Sequence, residues 1–362
     1  MDFLAAPNVL LEALAYLGAR ANGNTMERME ERLLARGISD LAAFRAQYAP
    51  IQALRQALDR EVPIHQSQLD RLFRNLEGFS YSTTGSYSPA FLLFYPMLSH
   101  YRGDFDALME QMAALSPDHV ARHLLISLSM EDRLGPDETG AGTLLMECIR
   151  SLSVPARSRS GLLTLYQDYQ VLLPAMGSCL RMAVTALEQR RPQLDAMAQD
   201  FCRELDRTGC EAYLRKTSSL SLSEGTQYLL RPFLLGPDTN LSLEMPEDSG
   251  HVVIYCGVLR QFLQELLYAS EDADSKVFET IKLMGDRTRF DILCYLRDHP
   301  AYGQELSEHF GLARNTIHHH MSKLLNAGLV TCTVDGNRIY YAIDREHLAP
   351  ILRQQQALFL GE

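Results

Sequence analysis

No uninterrupted apolar run in this 362-residue chain reaches the length of a membrane-crossing helix. The longest such runs, Ala90 to Leu98 and Val252 to Leu259, fall well short of the ~20 residues a membrane helix needs, so no membrane partner is expected. Met1-Asp2-Phe3-Leu4 lacks the positive region and small-residue cleavage site of an export signal, and the expected location is the cytoplasm. A disulfide framework is also missing. The seven cysteines, Cys148, Cys179, Cys202, Cys210, Cys256, Cys294 and Cys332, are odd in number, dispersed and without a CxxC, as expected of reduced and mostly buried thiols. Residues 1–275 contain no GxSxG elbow, Walker loop, HExxH or strand-borne GxGxxG. Nothing therefore speaks for an enzyme, for catalytic residues or for a cofactor. There is no fixed-period repeat and no extended low-complexity segment.

An excess of positive charge is lacking too. The net charge is -11, yet it is unevenly spread. Residues 1–275 carry 24 Lys and Arg against 35 Asp and Glu, whereas residues 276–362 carry 10 of each. A neutral C-terminal module cannot hold a polyanion by bulk charge and would need cations and imidazoles gathered on one face. The acidic remainder discourages nonspecific binding.

What is present is an ordinary globular composition, 46% hydrophobic and 22% charged, in a chain long enough for two or more domains. Fold class is expected to be mainly α: a helical N-terminal domain with a small antiparallel sheet, then a C-terminal winged helix-turn-helix. From Asn8 to about Lys216, apolar residues recur at spacings of three and four. This predicts helices over Thr25 to Ala35, Leu41 to Leu58, Pro89 to His100, Phe105 to Leu115, Pro117 to Leu134 and Arg157 to Glu188, with Pro50 and Pro174 kinking or breaking theirs. Ser218 to Leu222, Gln227 to Leu235, Asn240 to Met245 and His251 to Gly257 read as the strands of the small sheet. The polar stretch 271–275 suits a linker. The expected organisation is thus a sensor or oligomerisation domain over 1–270, a winged helix over 276–344 and a dimerisation helix over 345–362.

Beyond the linker, Lys276 to Met284 is helical, and Asp286 caps a second helix, Arg287 to Asp298. Gln304 to Phe310 is a short third helix, and Gly311 turns the chain into a fourth, Arg314 to Asn326. On a wheel at 100° per residue, Ile317, Met321, Leu324 and Leu325 share the inward face of that fourth helix. Asn315, His319 and Ser322 lie opposite, with Thr316 and Lys323 beside them, while His318 and His320 flank the apolar stripe. Small polar side chains on an outward face can reach base edges and phosphates, although a merely solvated helix face has the same pattern. Three adjacent imidazoles near phosphates would tighten binding on protonation. Leu329 to Val334 and Arg338 to Ile343 then form a hairpin about Asp335-Gly336, with Asn337 and Arg338 at its tip.

These residues resemble the ArsR-type winged-helix repressors over roughly Lys276 to Phe359. The resemblance rests on Leu283-Met284-Gly285-Asp286-Arg287-Thr288-Arg289-Phe290-Asp291-Ile292-Leu293, on Asn315 to Leu324, on Ala327-Gly328-Leu329-Val330, and on Gly336-Asn337-Arg338-Ile339-Tyr340-Tyr341. It implies a homodimer that sets two recognition helices in successive major grooves of a double-stranded operator and leaves when a small-molecule effector, here placed in residues 1–270, binds. The expected DNA contacts are Arg314, Asn315, Thr316, His318, His319, Ser322, Lys323, Asn337 and Arg338. Two departures stand out: Ala313 replaces the usual capping Ser, and Gln304 to Phe310 has no Cys pair. The last helix offers only Asp344, Glu346 and His347, so no metal site is expected. The competing readings are a metal- or redox-responsive regulator, an enzyme bearing a regulatory winged helix, and a protein-interaction module that kept the fold.

Two features of the N-terminal region call for structural placement. His119 and His123 lie four apart on one helical face, without a third metal ligand in sequence reach. Phe79, Tyr81, Tyr87, Phe91, Phe94, Tyr95 and Tyr101 are numerous enough to line a ligand pocket or to fill a core.

Overall fold

A computed structural model of the chain describes all residues except 1, 80–86, 129, 131–139, 153, 218–219, 222–226, 245–250, 271–272, 313, 336–337 and 362. Two compact units emerge: residues 1–32, 40–210 and 227–260 form one, and residues 33–39, 211–226 and 261–362 the other. The chain is mainly α.

The chain opens with β1 (Asp2–Phe3), α1 (Val9–Asn22), α2 (Met26–Leu34), α3 (Ala42–Glu61), α4 (Gln66–Leu72) and α5 (Pro89–Phe94). Then come α6 (Phe105–Ala113), α7 (Pro117–Ser127), α8 (Ala141–Ser151), α9 (Ala156–Gln167), α10 (Tyr169–Glu188) and α11 (Arg191–Thr208). Helix α1 is buried on every side and is accordingly a core helix, packed against α4 and α10. Asn8 caps it by accepting from the Leu11 N–H, and Gly23, at φ 63, ends it in the left-handed conformation. Helix α10 has the length and apolarity to cross a bilayer, but 56% of that window is buried inside the protein, as in a core helix.

Three local expectations are corrected. The single helix expected over 157–188 is two, α9 and α10, which meet at Asp168. Aspartate is a poor helix-interior residue, and the Asp168 carbonyl instead accepts from Val171 and Leu172 to start α10. Of the two outcomes expected at Pro50 and Pro174, kinking or breaking, the break does not occur, and both helices run on through their proline. Each proline costs about 3 kcal/mol, outweighed by burial of Phe44, Tyr48, Ile51, Leu54 and Leu58 on α3 and of Leu172, Leu173, Met176 and Leu180 on α10. The helix beginning at Pro89 stops at Phe94 and passes into a 3-10 turn, Tyr95–Met97, around Pro96.

After α12 (Cys210–Thr217) come β2 (Leu220–Ser221), β3 (Gln227–Phe233), β4 (Asn240–Glu244) and β5 (His251–Gly257). The sheet of the first unit has the order β1-β3-β5-β4 and is mixed, not wholly antiparallel. β3 runs parallel to both β1 and β5, while β4 is antiparallel to β5. The sequence carries a trace of this: Val252 to Cys256 are buried in succession, the unbroken pattern of a strand covered on both faces, where an antiparallel edge would alternate. The segment expected as the first strand of this sheet, β2, is not in it.

One carboxylate lies within the first unit's core. Glu12 is fully buried and accepts from the backbone N–H groups of Leu234 (2.9 Å) and Leu235 (2.7 Å). Burial pushes its carboxyl up to about 7, against the two backbone bonds and the nearby Arg231 and Arg55, which favour the charged form.

The second unit continues through α13 (Arg260–Ser270), α14 (Ala273–Met284), α15 (Arg287–Leu296), β6 (Ala301–Tyr302), α16 (Gly303–Phe310), α17 (Arg314–Asn326), β7 (Val330–Asp335), β8 (Arg338–Ile343) and α18 (Arg345–Leu360). Helix α14 starts at Ala273, so part of the acidic stretch read as a linker forms its first turn, where the helix dipole favours acids. α14 packs on α18.

Candidate nucleic-acid interface

The helix-turn-helix is built from α15, α16 and α17 over one apolar core. Ile292, Leu293 and Leu296 of α15 meet Leu306 of α16 and Ile317, Met321 and Leu324 of α17, with Ala301, Leu329, Val330 and Tyr341 closing it from the strands and the turn before them. Asp286 begins α15 by accepting from the Arg289 N–H at 3.0 Å. That bond and the Arg289 guanidinium hold the Asp286 carboxyl below the usual carboxylate range. Arg289 is itself buried and donates from Nε to the Leu283 carbonyl at 2.7 Å, pinning the end of α14 to the start of α15. Tyr295 of α15 packs against the His309 ring, centroids 4.2 Å apart, and donates to Glu305, joining α15 to α16.

The turn between α16 and α17 needs glycine. Gly311 sits at φ 62 and its N–H reaches the Ser307 carbonyl, a left-handed cap that a β-carbon would disfavour. A second glycine ends α17. Gly328, at φ 67, lies where a β-carbon would meet the His347 ring at 2.9 Å, so both conformation and space select glycine there.

The inward face of helix α17 is the one that the wheel at 100° per residue expects. Ile317, Met321 and Leu324 are at most 1% exposed and Leu325 is half-buried. Among the residues expected to meet DNA, Thr316 and Ser322 are half-buried and Lys323 is exposed. Arg314, Asn315, His318 and His319 are placed on α17 by its backbone; the 100° spacing sets Asn315 and His319 opposite the buried stripe, His318 at its edge and Arg314 in line with it at the start of the helix. The third histidine of the run departs from the expectation that all three imidazoles lie near phosphates. His320 is turned inward, its Nδ1 3.7 Å from the Asp286 carboxylate and its side chain 13% exposed. Ala313 and Asn337 lie outside the described residues.

The wing is the antiparallel pair β7–β8, with Asp335 opposite Arg338 at its end. β6 adds to β8, and Tyr341 sends its ring into the core. On the far side of β7 is a strand that the sequence pattern had grouped with the first unit's sheet. β2 runs parallel to β7, Leu220 opposite Cys332 and Ser221 opposite Thr333, giving the sheet order β2-β7-β8-β6. Alternation and turn residues identify a strand but not its neighbour.

His119 bonds Ser116, and the His123 ring N–H donates to the Leu93 carbonyl; burial holds the His123 imidazole down at about 4. Among the described residues no group of three or more His, Cys, Asp or Glu is gathered as a metal ion would require. Asp344 accepts from the His347 N–H as the cap of α18. Burial pushes the Cys202 thiol up to about 11 and Cys332 up to about 12, away from the reactive thiolate. Phe91, Phe94 and Tyr101 are core residues, Phe79 stacks on Tyr87, and Tyr81 lies outside the described residues. A recess lined by Asn24, Tyr48, Arg55 and Asp238 among others has room for no more than a water molecule.

The signature of the bacterial regulatory proteins of the arsR family matches residues 286–331, from the α15 cap into β7. The HTH-type transcriptional regulator CmtR of Mycobacterium tuberculosis is 38% identical over 71 residues, 20% of this chain and 60% of that protein. The arsenical resistance operon repressor of Staphylococcus aureus is 33% identical over 73 residues, 20% of this chain and 70% of that protein. Reduced HlyU from Vibrio cholerae, 27% identical, aligns with 26% of this chain and 97% of its own at a TM-score of 0.20. The chain spans about 60% of the length of the CmtR proteins it matches. With a helix-turn-helix core and wing in place, and a curated repressor matched over 70% of its length at 33% identity, this chain belongs to the ArsR family of bacterial regulatory proteins.

Proposed function

We propose that this protein is a sequence-specific, DNA-binding transcriptional repressor that acts in the cytoplasm as a homodimer and answers to a small-molecule effector taken up by residues 1–270. The observation that carries the reading is the division of α17: Ile317, Met321 and Leu324 are committed to the core, which leaves the positions of Asn315, Thr316, His319, Ser322 and Lys323 for a ligand outside it. A recognition helix needs this separation, because base edges are reached only by side chains that the core does not use. Arg314 and His318 complete the helix's share, and Asn337 with Arg338 supplies the wing's. CmtR and the arsenical resistance operon repressor, by their names, regulate transcription, which favours this over an enzyme or a protein-interaction module.

Dimerisation is assigned to α14 and α18. Packed on each other, they leave Phe278 of α14 and Leu352, Leu358, Phe359 and Leu360 of α18 exposed, apolar area that a second copy would remove from water. Two α17 helices related by a two-fold axis would then enter successive major grooves.

The test is a mobility-shift assay on genomic fragments retained by the wild-type chain. Replacing Asn315, Thr316 and His319 together by alanine should abolish specific retention while the circular dichroism spectrum is unchanged, each lost base contact costing about 1 to 3 kcal/mol. Undiminished retention would assign reading to another surface.

A further inference from the structure

The wing hairpin has a partner that the helix-turn-helix does not supply. β8 is flanked by β7 and by the two-residue β6, so β7 would otherwise present an unpaired edge. A bare hairpin is marginal in water and takes its fixed shape from added strands. Leu220–Ser221, more than 100 residues earlier in the chain, pairs with Cys332–Thr333 and makes β7 an interior strand. The pairing stops short of the hairpin's end, where Asp335 is opposite Arg338, and so supports the wing without covering its tip.

The chain around β2 gives this contact a direction. On one side, α12 ends at Thr217, whose hydroxyl is buried and donates back to the Tyr213 carbonyl, and Lys216 pairs with Glu265 of α13. On the other side only residues 222–226 separate β2 from β3, an inner strand of the first unit's sheet paired with β5 over seven positions.

We propose that Leu220–Ser221 is a positioning strand for the wing: by pairing with β7 it fixes the hairpin that carries Arg338. The proposal rests on the DNA-binding reading, since a wing is positioned for a groove.

The test uses the full-length chain and proline. In a parallel ladder only alternate N–H groups point at a given neighbour, and proline suits an extended backbone while removing its N–H. Leu220→Pro and Ser221→Pro are therefore made separately. One should break a bond to β7 and the other should not, so each is the other's control. Hydrogen exchange should show protection of the 330–335 amides falling about tenfold in one variant, with the amides of 317–325 unchanged, and the same variant should lose about tenfold in affinity for DNA retained by the wild type. Unchanged 330–335 protection in both variants overturns the pairing. Lost protection with full affinity overturns the positioning role and leaves β2 as an edge cover. A wild-type chain that retains no DNA would overturn the DNA-binding reading, and the strand's role with it, while the exchange result would still report the pairing.

Discussion

Glu12 stands alone in an otherwise apolar helix, and the run Val9-Leu10-Leu11-Glu12-Ala13-Leu14 makes that isolation plain in the sequence. Its partners are not visible there, because the Leu234 and Leu235 amides are more than 200 positions away. With its carboxyl raised from 4.5 to about 7, Glu12 binds a proton more readily in the folded chain than in the unfolded one. The stability it contributes is complete below pH 4.5 and is lost as pH rises through about 7, a change on the order of 3 kcal/mol. Urea denaturation of Glu12→Gln between pH 5 and 8 should show a flatter pH dependence than the wild type. Equal slopes would mean that Glu12 titrates normally. Helix α17 offers the contrasting case: Ile317, Met321 and Leu324 were legible as core because the periodicity that marks them is local. His320, at the edge of the stripe, needed Asp286 in place before its direction could be known.

Elements with short-range determinants followed the sequence closely. The α15 cap at Asp286, the turn at Gly311, the end of α17 at Gly328 and the β7–β8 hairpin are each set by residues within a few positions of one another. Strand partners were the part that could not be read, since β2 and β3 are close in sequence yet belong to different sheets. α18 is a further element whose pattern outruns the single chain. Phe359 and Leu360, each 66% exposed, have no place in the monomer's core. If they belong to the dimer, Leu358→Glu with Phe359→Glu should give a monomer in sedimentation velocity, and operator affinity should fall by about tenfold or more because two half-sites are no longer bound together. A dimer that persists at micromolar concentration would move the interface elsewhere.

Across the whole molecule, charge and chemistry are divided. The acidic excess lies in residues 1–275 and the C-terminal module is neutral, so the proposed DNA binding would rest on a few placed groups on α17 and the wing and not on a general basic surface. With so few cations, the account predicts weak nonspecific affinity that falls only shallowly with added salt. The N-terminal unit accounts for most of the chain, and in its aromatic cluster Phe91, Phe94 and Tyr101 are core while Phe79, Tyr87 and Tyr95 are half-buried; core and pocket could not be told apart in Phe79 to Tyr101 because packing and pocket-lining demand the same residues. That this chain reads double-stranded DNA as a two-fold dimer is tested most directly by incubating the full-length protein with fragmented genomic DNA of its source and sequencing what is retained. The predicted result is a small set of fragments sharing an inverted repeat with half-sites about one helical turn, roughly 10 base pairs, apart. Retention without any shared motif, or no retention at all, would contradict it.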